Sequence, residues 1–139
     1  MGAPVRDGRE RRRIIVGVDG SLTSGAALRW ATEEARRWSA ELVLLHVEPP
    51  SVPPWHPPAE RTAEQVVDLA ERIRSQGVAV TAQVATGDPA GVLLARSANA
   101  DLLVMGGQGF GAHRGLLLGG VAQECARRAR CPVVLVPGQ

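Results

Sequence analysis

The residues best suited to chemistry in this sequence form a glycine-rich stretch from Gly106 to Gly120. Gly106 is followed after two residues by Gly109, and nine further residues separate Gly109 from Gly119. Glycine permits positive φ angles and a close approach of the backbone to a ligand. Long connections of this kind are usually functional. The helix predicted after the glycine-rich stretch would offer the free N–H groups of its first turn to an anion. We therefore expect a phosphate-binding loop, with a merely flexible surface loop as the alternative.

Basic side chains could also bind phosphate or nucleic acid, but all 16 of them are arginine and lysine is absent. The absence of lysine excludes a Walker A loop, a Schiff-base enzyme and a phospho-receiver domain. Residues 1–13 carry five arginines and two acidic residues, whereas the remaining 126 residues carry 11 arginines and 12 acidic residues. The positive charge is thus concentrated at the start of the chain. We expect residues 1–12 to be a basic, disordered leader, and we expect no nucleic-acid partner.

Length and composition predict one globular domain over residues 13–139. The chain has 139 residues, of which 45% are hydrophobic and 22% are charged, so it can form a core without metal or disulfide support. Its apolar runs are too short for a membrane span or a signal peptide. Two cysteines, Cys125 and Cys131, are too few for a disulfide framework. We therefore expect a cytoplasmic protein with no membrane partner, in which both cysteines serve packing.

Strand and helix patterns alternate along the chain. Strands are predicted at residues 13–19, 41–47, 78–85, 101–105 and 132–136, with helices at 21–38, 59–76, 89–98 and 121–130. Six prolines predict a loop between Pro49 and Pro58. The alternation predicts an α/β fold, a single doubly wound domain whose parallel sheet carries helices on both faces.

Three local features of the helices follow from residue spacing. In the first helix, the apolar face is predicted to contain Ala27, Ala31, Ala35 and Trp38. In the second, it is predicted to contain Ala63, Val67, Ala70 and Ile73. Asp88 is expected to cap the third helix, with Pro89 at the first position.

Ligands of doubly wound sheets bind at the carboxyl ends of the strands. Those ends hold Asp19-Gly-Ser21, His46-Val47, Thr86-Gly-Asp88 and Met105-Gly106. His46 lies inside a buried strand, so we expect a hydrogen-bonded core histidine rather than a catalyst. No carboxylate–histidine or Ser/His/Asp arrangement is evident, so we assign no catalytic residue and no metal ligand.

Seven segments in the same order carry a family resemblance. They are Val16-Gly-Val-Asp-Gly-Ser21, Ala27-Leu-Arg-Trp-Ala31, Leu44-Leu-His-Val47, Gly87-Asp-Pro89, Ala100-Asp-Leu-Leu-Val-Met-Gly106, the Gly-x2-Gly-x9-Gly stretch and Cys131-Pro-Val-Val-Leu-Val136. Over about residues 12–137 the chain resembles the universal stress protein family, in its glycine-motif branch, which binds ATP. The resemblance implies a five-stranded parallel sheet of order 3-2-1-4-5 and a homodimer formed through the C-terminal strand.

The resemblance also implies a nucleotide site. Asp19 would bind the ribose hydroxyls, Val47 the adenine, and Met105 the base or ribose, while backbone amides of the glycine-rich stretch would bind phosphates. The candidate residues for ATP, expected together with Mg²⁺, are Asp19, Gly20, Ser21, Val47, Met105, Gly106, Gly107, Gln108, Gly109, Arg114, Gly119, Gly120 and Val121. Each has an ordinary alternative: helix capping for Asp19 and Ser21, core packing for Val47 and Met105, and solvation for Arg114.

One position departs from the family pattern. The last glycine of the motif is usually followed by Ser or Thr, whose hydroxyl reaches phosphate, but here the residue is Gly120. A hydrogen bond to a charged group contributes about 1.5–3 kcal/mol, so the affinity for ATP would be lowered. A family member that has lost strong ATP binding is therefore one alternative to an ATP-binding protein.

The resemblance favours a nucleotide-dependent regulatory or stress-response protein with an unidentified protein partner. A slow Mg²⁺-dependent ATPase or phosphotransferase is the alternative in the enzyme class, and it would use Asp19 and Asp88 around the metal. A flavodoxin-like electron carrier is a further alternative, but the chain has no Tyr and one Phe to stack on a flavin.

Overall fold

The computed structural model of the chain describes residues 11–19, 22–48, 50, 59–107 and 120–137. Strands and helices alternate through the described residues: β1 Arg13–Gly17, α1 Leu22–Trp38, β2 Glu41–Glu48, α2 Ala59–Arg74, β3 Val80–Thr86, α3 Pro89–Ser97, β4 Leu102–Gly106, α4 Gly120–Arg128 and β5 Val133–Val136. Every predicted strand and helix is present, with its ends shifted by at most two residues. The predicted leader up to residue 10, the predicted loop except Pro50, and residues 108–119 of the glycine-rich stretch lie outside the described residues.

The five strands form one sheet in the order β3-β2-β1-β4-β5, and all four pairings are parallel. This order confirms the predicted fold. The central strand β1 pairs with β2 on one side and with β4 on the other, through Val16 beside Leu44 and Val104. The chain adds β2 and β3 on one side of β1 and then crosses to add β4 and β5 on the other side. The switch point of the sheet therefore lies between the carboxyl ends of β1 and β4.

Two apolar layers cover the sheet. One lies between the sheet and helices α1 and α2, and the other between the sheet and helices α3 and α4. Alternate residues of each central strand enter the two layers, as Ile14 and Ile15 illustrate. Among the described helices, none combines the length and apolarity that crossing a bilayer requires.

The predicted face of α1 is confirmed, because Ala27, Ala31 and Ala35 are each at most 1% exposed. The predicted face of α2 is wrong at one position. Val67 is 47% exposed, and the neighbouring Val66 is buried instead. The buried residues Val66, Ala70 and Ile73 are spaced by four and three residues, which keeps them on one side of the helix.

Two helix ends have local explanations, and the one at Asp88 confirms a prediction. Gly77 follows α2 with a φ of 91°, a conformation that glycine adopts without steric cost. Asp88 caps α3, because its Oδ2 accepts a hydrogen bond of 2.8 Å from the Gly91 amide while Pro89 occupies the first helical position. The Asp88 carboxylate is therefore already engaged in stabilising the helix N-terminus.

Both cysteines are free thiols packed against the layer of α3 and α4. Burial raises the pKa of Cys125 from 9.0 to about 11. Between these values the unfolded chain loses the thiol proton while the native protein keeps it, so the free energy of unfolding falls as pH rises. At about 1.4 kcal/mol per pKa unit, we expect a loss of up to about 3 kcal/mol.

Urea unfolding of the wild type and Cys125→Ala between pH 8 and pH 11 would test this expectation, because the variant lacks the titrating thiol. The wild type should lose stability more steeply than the variant above pH 9. Parallel profiles for the two proteins would contradict it.

Candidate functional site

The carboxyl ends of β2, β1 and β4 lie side by side, and they carry several of the predicted site residues. Gly17 is the last residue of β1 in the ladder, opposite Leu45, and the Val18 amide still donates to the Leu45 carbonyl at 3.0 Å. The register of β1 with β2, extended by two residues beyond Gly17, places Asp19 beside Val47. The register of β1 with β4, extended by three residues beyond Val16, places Asp19 beside Gly107 on its other side. Neighbouring strands are about 5 Å apart, so Asp19 lies between the ends of β2 and β4 by this extension.

The predicted site residues at these strand ends differ in how accessible they are to a ligand. Asp19 and Val47 are half-buried, and Val47 packs against the layer of α3 and α4. Met105 is 6% exposed and is a member of that layer, so the core packing given above as the alternative to a nucleotide contact is present. Gly106 and Gly107 are buried, and the Gly107 amide donates to the Val136 carbonyl at 3.1 Å.

Among the described residues, none fills the space beside the first residue of α4. Gly120 begins the helix and is exposed, and a Cβ atom added to it would meet no described atom within 4 Å. Val121 is half-buried against the layer of α3 and α4. The helix itself continues to Arg128, so its free N–H groups and positive dipole end are at this position.

Six predicted site residues lie outside the described residues: Gly20, Ser21, Gln108, Gly109, Arg114 and Gly119. Their roles stay predictions. Five of the thirteen candidates lie at the carboxyl ends of the neighbouring strands β1, β2 and β4: Asp19, Val47, Met105, Gly106 and Gly107.

Gly17 is a residue of this region that the sequence did not single out. A Cβ atom added to it would lie 3.3 Å from Leu93 Cδ2 and 3.9 Å from Met105 Cβ. Leu93 belongs to α3, so the missing side chain lets this helix pack closely beneath the end of β1. The glycine two residues before a predicted strand-end carboxylate was the available signal.

His46 and Glu48 form a buried pair that sequence reasoning missed. The Nε2 atom of His46 lies 2.8 Å from Glu48 Oε2, and its Nδ1 atom lies 2.8 Å from the Val18 carbonyl oxygen. Both side chains are less than 10% exposed. The prediction of a hydrogen-bonded core histidine is confirmed, but a carboxylate–histidine pair is present after all. Two residues apart on a strand share a face, and this spacing could have revealed the pair.

The part of the chain that the structure describes contains no cluster of three or more His, Cys, Asp or Glu side chains suited to a metal ion. A cavity of about 420 Å³ opens at the opposite edge of the sheet, at the amino ends of the strands. Its lining includes Arg12, whose guanidinium carbon is 5.3 Å from the centre of the Trp38 ring. Ligands of doubly wound sheets bind at the carboxyl edge, so this cavity is not the nucleotide candidate.

The family model of the universal stress proteins matches residues 10–137. The chain belongs to the universal stress protein family. Rv2623 of Mycobacterium tuberculosis, a universal stress protein, is 39% identical over 132 residues, which cover 88% of this chain and 44% of the relative. A universal stress protein of Thermus aquaticus is 34% identical over 135 residues, covering 90% of this chain and 98% of the relative. The chain thus spans less than half of the mycobacterial relative.

Solved structures of the family share the fold. UspA of Lactobacillus plantarum superposes with a TM-score of 0.80 at 20% identity, covering 91% of this chain and 98% of that chain. A universal stress protein solved in complex with cAMP superposes with a TM-score of 0.72 at 25% identity, covering 94% and 99% of the two chains. Two further relatives, both 22% identical, were solved with dAMP and with AMP.

Proposed function

We propose that this universal stress protein binds ATP at the carboxyl ends of β1, β2 and β4 and acts as a nucleotide-dependent regulatory protein in a stress response. The observation that carries the proposal is that Asp19, Val47 and Gly107 lie at the carboxyl ends of three neighbouring strands, β1, β2 and β4, which include the switch point of the sheet. Relatives of the same fold were solved with cAMP, dAMP and AMP, which supports an adenine nucleotide at this site.

The chemistry of the available donors and acceptors fits such a ligand. An ionised Asp19 carboxylate can accept hydrogen bonds from both ribose hydroxyls, and Val47 offers an apolar side chain to the adenine. The glycine-rich stretch and the N-terminus of α4 offer backbone N–H groups to the phosphates. Arg114 is the one cation of that stretch, because the chain has no lysine.

Mg²⁺ is expected to accompany the triphosphate. The described residues lack a ready-made metal cluster, so phosphate oxygens and water would supply most ligands, as is usual for this ion. When bound, Mg²⁺ would neutralise phosphate charge that backbone amides alone compensate only in part.

Calorimetry tests the proposal directly. We expect ATP with Mg²⁺ to bind more tightly than AMP, and AMP more tightly than adenosine, because each phosphate adds contacts to backbone amides. The absence of a binding signal at millimolar ATP would overturn the proposal. Equal affinities for ATP and adenosine would remove the phosphate-binding role of the glycine-rich stretch.

Gly120→Ser is expected to strengthen ATP binding. The substitution adds a hydroxyl where no described atom lies within 4 Å of an added Cβ, so it should be accommodated without strain. One hydrogen bond to a charged phosphate contributes about 1.5–3 kcal/mol, which corresponds to roughly ten- to hundredfold in affinity. Gly120→Ala is the matched control, since it adds the Cβ alone. If serine binds ATP no better than alanine, the expected phosphate contact is absent.

The ATPase alternative receives less support from the structure. It requires Asp88 as a second acidic ligand of Mg²⁺, but that carboxylate accepts a hydrogen bond from the Gly91 amide and caps α3. Asp88→Asn preserves a capping oxygen and removes the charge. Any ATP turnover should therefore be unchanged in this variant, and loss of turnover would favour the enzyme.

The proposal includes a homodimer formed through β5. This strand is at one edge of the sheet and consists of four half-buried residues, Val133–Val136. An apolar edge strand favours pairing with a second copy. Light scattering at micromolar concentration should give twice the mass of the chain, and a monomeric mass would contradict the dimer.

A further inference from the structure

Three strand ends beside the proposed nucleotide site are connected by one run of hydrogen bonds. His46 of β2 contacts the Val18 carbonyl after β1 through Nδ1 and contacts Glu48 through Nε2, both at 2.8 Å. The Glu48 carbonyl in turn accepts a 2.9 Å hydrogen bond from the amide of Gly87, after β3. The carboxyl ends of β1, β2 and β3 are thus held together at this point.

The acceptor beside Nδ1 decides that this ring nitrogen of His46 carries a hydrogen. A carbonyl oxygen only accepts, so His46 Nδ1 must carry a hydrogen and donate it to Val18. The remaining contact, between Nε2 and the Glu48 carboxyl, then contains one proton, as either an imidazolium–carboxylate or a neutral pair. With both ring nitrogens engaged and the side chain buried, His46 is not a free base for a substrate.

The pair is on the face of the sheet opposite the predicted adenine contact. Side chains alternate along β2, so His46 and Glu48 share a face with Leu42 and Leu44, which pack in the layer of α1 and α2. Val47 packs in the layer of α3 and α4. His46 therefore acts on the proposed site through the backbone and not by contacting the nucleotide.

We infer that His46 is a positioning residue for Asp19, which it holds through the Val18–Asp19 peptide, and that Glu48 orients its imidazole. The inference rests on the proposed function, because Asp19 is there assigned to the ribose hydroxyls. The peptide group is planar, so a hydrogen bond to the Val18 carbonyl also fixes the orientation of the Asp19 amide and Cα.

The position of Val18 explains why this hydrogen bond matters. The ladder of β1 with β2 ends at Gly17, and beyond it the Val18 amide is bonded to Leu45. The carbonyl oxygen of the same residue accepts a hydrogen bond from the imidazole of His46. Val18 is therefore bonded to β2 at both its N–H and its C=O, one residue before the carboxylate that needs a defined direction. The two proposed hydrogen bonds from the ribose hydroxyls to Asp19 benefit from this preorganisation, because a misplaced carboxylate would weaken both of them.

The experiment compares ATP with 2′,3′-dideoxy-ATP, which lacks both ribose hydroxyls. The ratio of the two affinities measures the hydroxyl contacts alone. The reference variant is Glu48→Gln, which removes the buried carboxyl from the comparison when His46 is also changed. In this background His46→Asn keeps an N–H group at the place of Nδ1, whereas His46→Leu of similar size removes it.

We expect the ratio of ATP affinity to dideoxy-ATP affinity to be retained in the asparagine variant and to fall by at least about fivefold in the leucine variant. The affinity for dideoxy-ATP itself should stay constant within about twofold. A leucine variant with an unchanged ratio would overturn the inference, as would equal losses for both nucleotides, because a merely structural role affects both alike.

Nuclear magnetic resonance of the wild type, without nucleotide, separates this inference from the proposed function. We expect a slowly exchanging proton on His46 Nδ1 and an Asp19 amide resonance that shifts in the leucine variant more than in the asparagine variant. A ring whose Nδ1 carries no proton would overturn the inference even if ATP binds. If wild-type protein binds no ATP but shows these signals, the proposed function is wrong. The positioning of the Val18–Asp19 peptide by His46 is then still supported.

Discussion

Replacing His46 alone with leucine is expected to lower the free energy of unfolding by about 3–5 kcal/mol, measured by urea denaturation at pH 7. The substitution deprives the buried Glu48 carboxyl of a 2.8 Å partner and leaves the Val18 carbonyl without its imidazole donor. Small domains are stable by about 5–15 kcal/mol in total, so this single change would remove a large part of the margin.

The double variant His46→Leu/Glu48→Leu is the control. It replaces the pair with apolar side chains, and such replacements of buried pairs are often close to neutral. We expect it to recover at least about half of the stability that the single variant loses, because only the Val18 carbonyl remains without its partner. A double variant as unstable as the single one would show that the lost contact between His46 and the Glu48 carboxyl is not the cause.

Asp19→Ala is expected to weaken ATP binding by roughly a hundredfold, measured by calorimetry in the presence of Mg²⁺. In the proposed complex the carboxylate accepts two hydrogen bonds, and each bond to a charged group contributes about 1.5–3 kcal/mol. Part of this gain is offset by desolvation of the half-buried carboxylate, so two orders of magnitude is a reasonable net effect.

Two comparisons confine this effect to the ribose hydroxyls. Asp19→Asn retains one acceptor oxygen and should lose less affinity than Asp19→Ala. Binding of 2′,3′-dideoxy-ATP should be nearly the same in the wild type and in both variants. If ATP binds to Asp19→Ala as tightly as to the wild type, the carboxylate has its alternative role at the start of α1 and the ribose assignment is wrong.

If Asp19→Ala weakens ATP binding as expected and the His46 variants change the ratio of ATP to dideoxy-ATP affinity as expected, specificity in this site depends on two sets of residues. Asp19 would make the contact, and the His46–Glu48 pair on the other face of the sheet would hold its backbone in place. A nucleotide-dependent regulator needs such a defined contact, because bound and free states must differ by a definite free energy before a partner can respond to them.

Much of the fold followed from local patterns. Short apolar runs such as residues 41–47 alternate with amphipathic helices, and only a parallel sheet with helices on both faces buries all of them. Asp88 followed by Pro89 predicted a helix start that the structure confirms. The strand order was different in kind, because it came from the family resemblance and not from the periodicity of the residues.

Residue spacing alone did not predict which of two adjacent apolar residues in a helix is buried. Val66 and Val67 are equally apolar, and the orientation of α2 against the sheet decided that Val66 is buried and Val67 exposed. The same limit applied to Gly17, whose missing side chain matters only because Leu93 from α3 lies 3.3 Å from the place of its Cβ. Contacts between distant segments have no local signature in the chain.

The sequence by itself determined the class of fold, the edge of the sheet where a ligand would bind and the residue types available there, since strand and helix periodicity act over a few residues. Only the tertiary structure decided that the strands ending near Asp19, Val47 and Gly107 are neighbours, because strand order depends on contacts between distant segments. It also decided the role of His46. A histidine and a glutamate two residues apart were visible in the sequence, but the second partner of the histidine, the Val18 carbonyl, is 28 residues away along the chain. It meets the imidazole only when β1 pairs with β2.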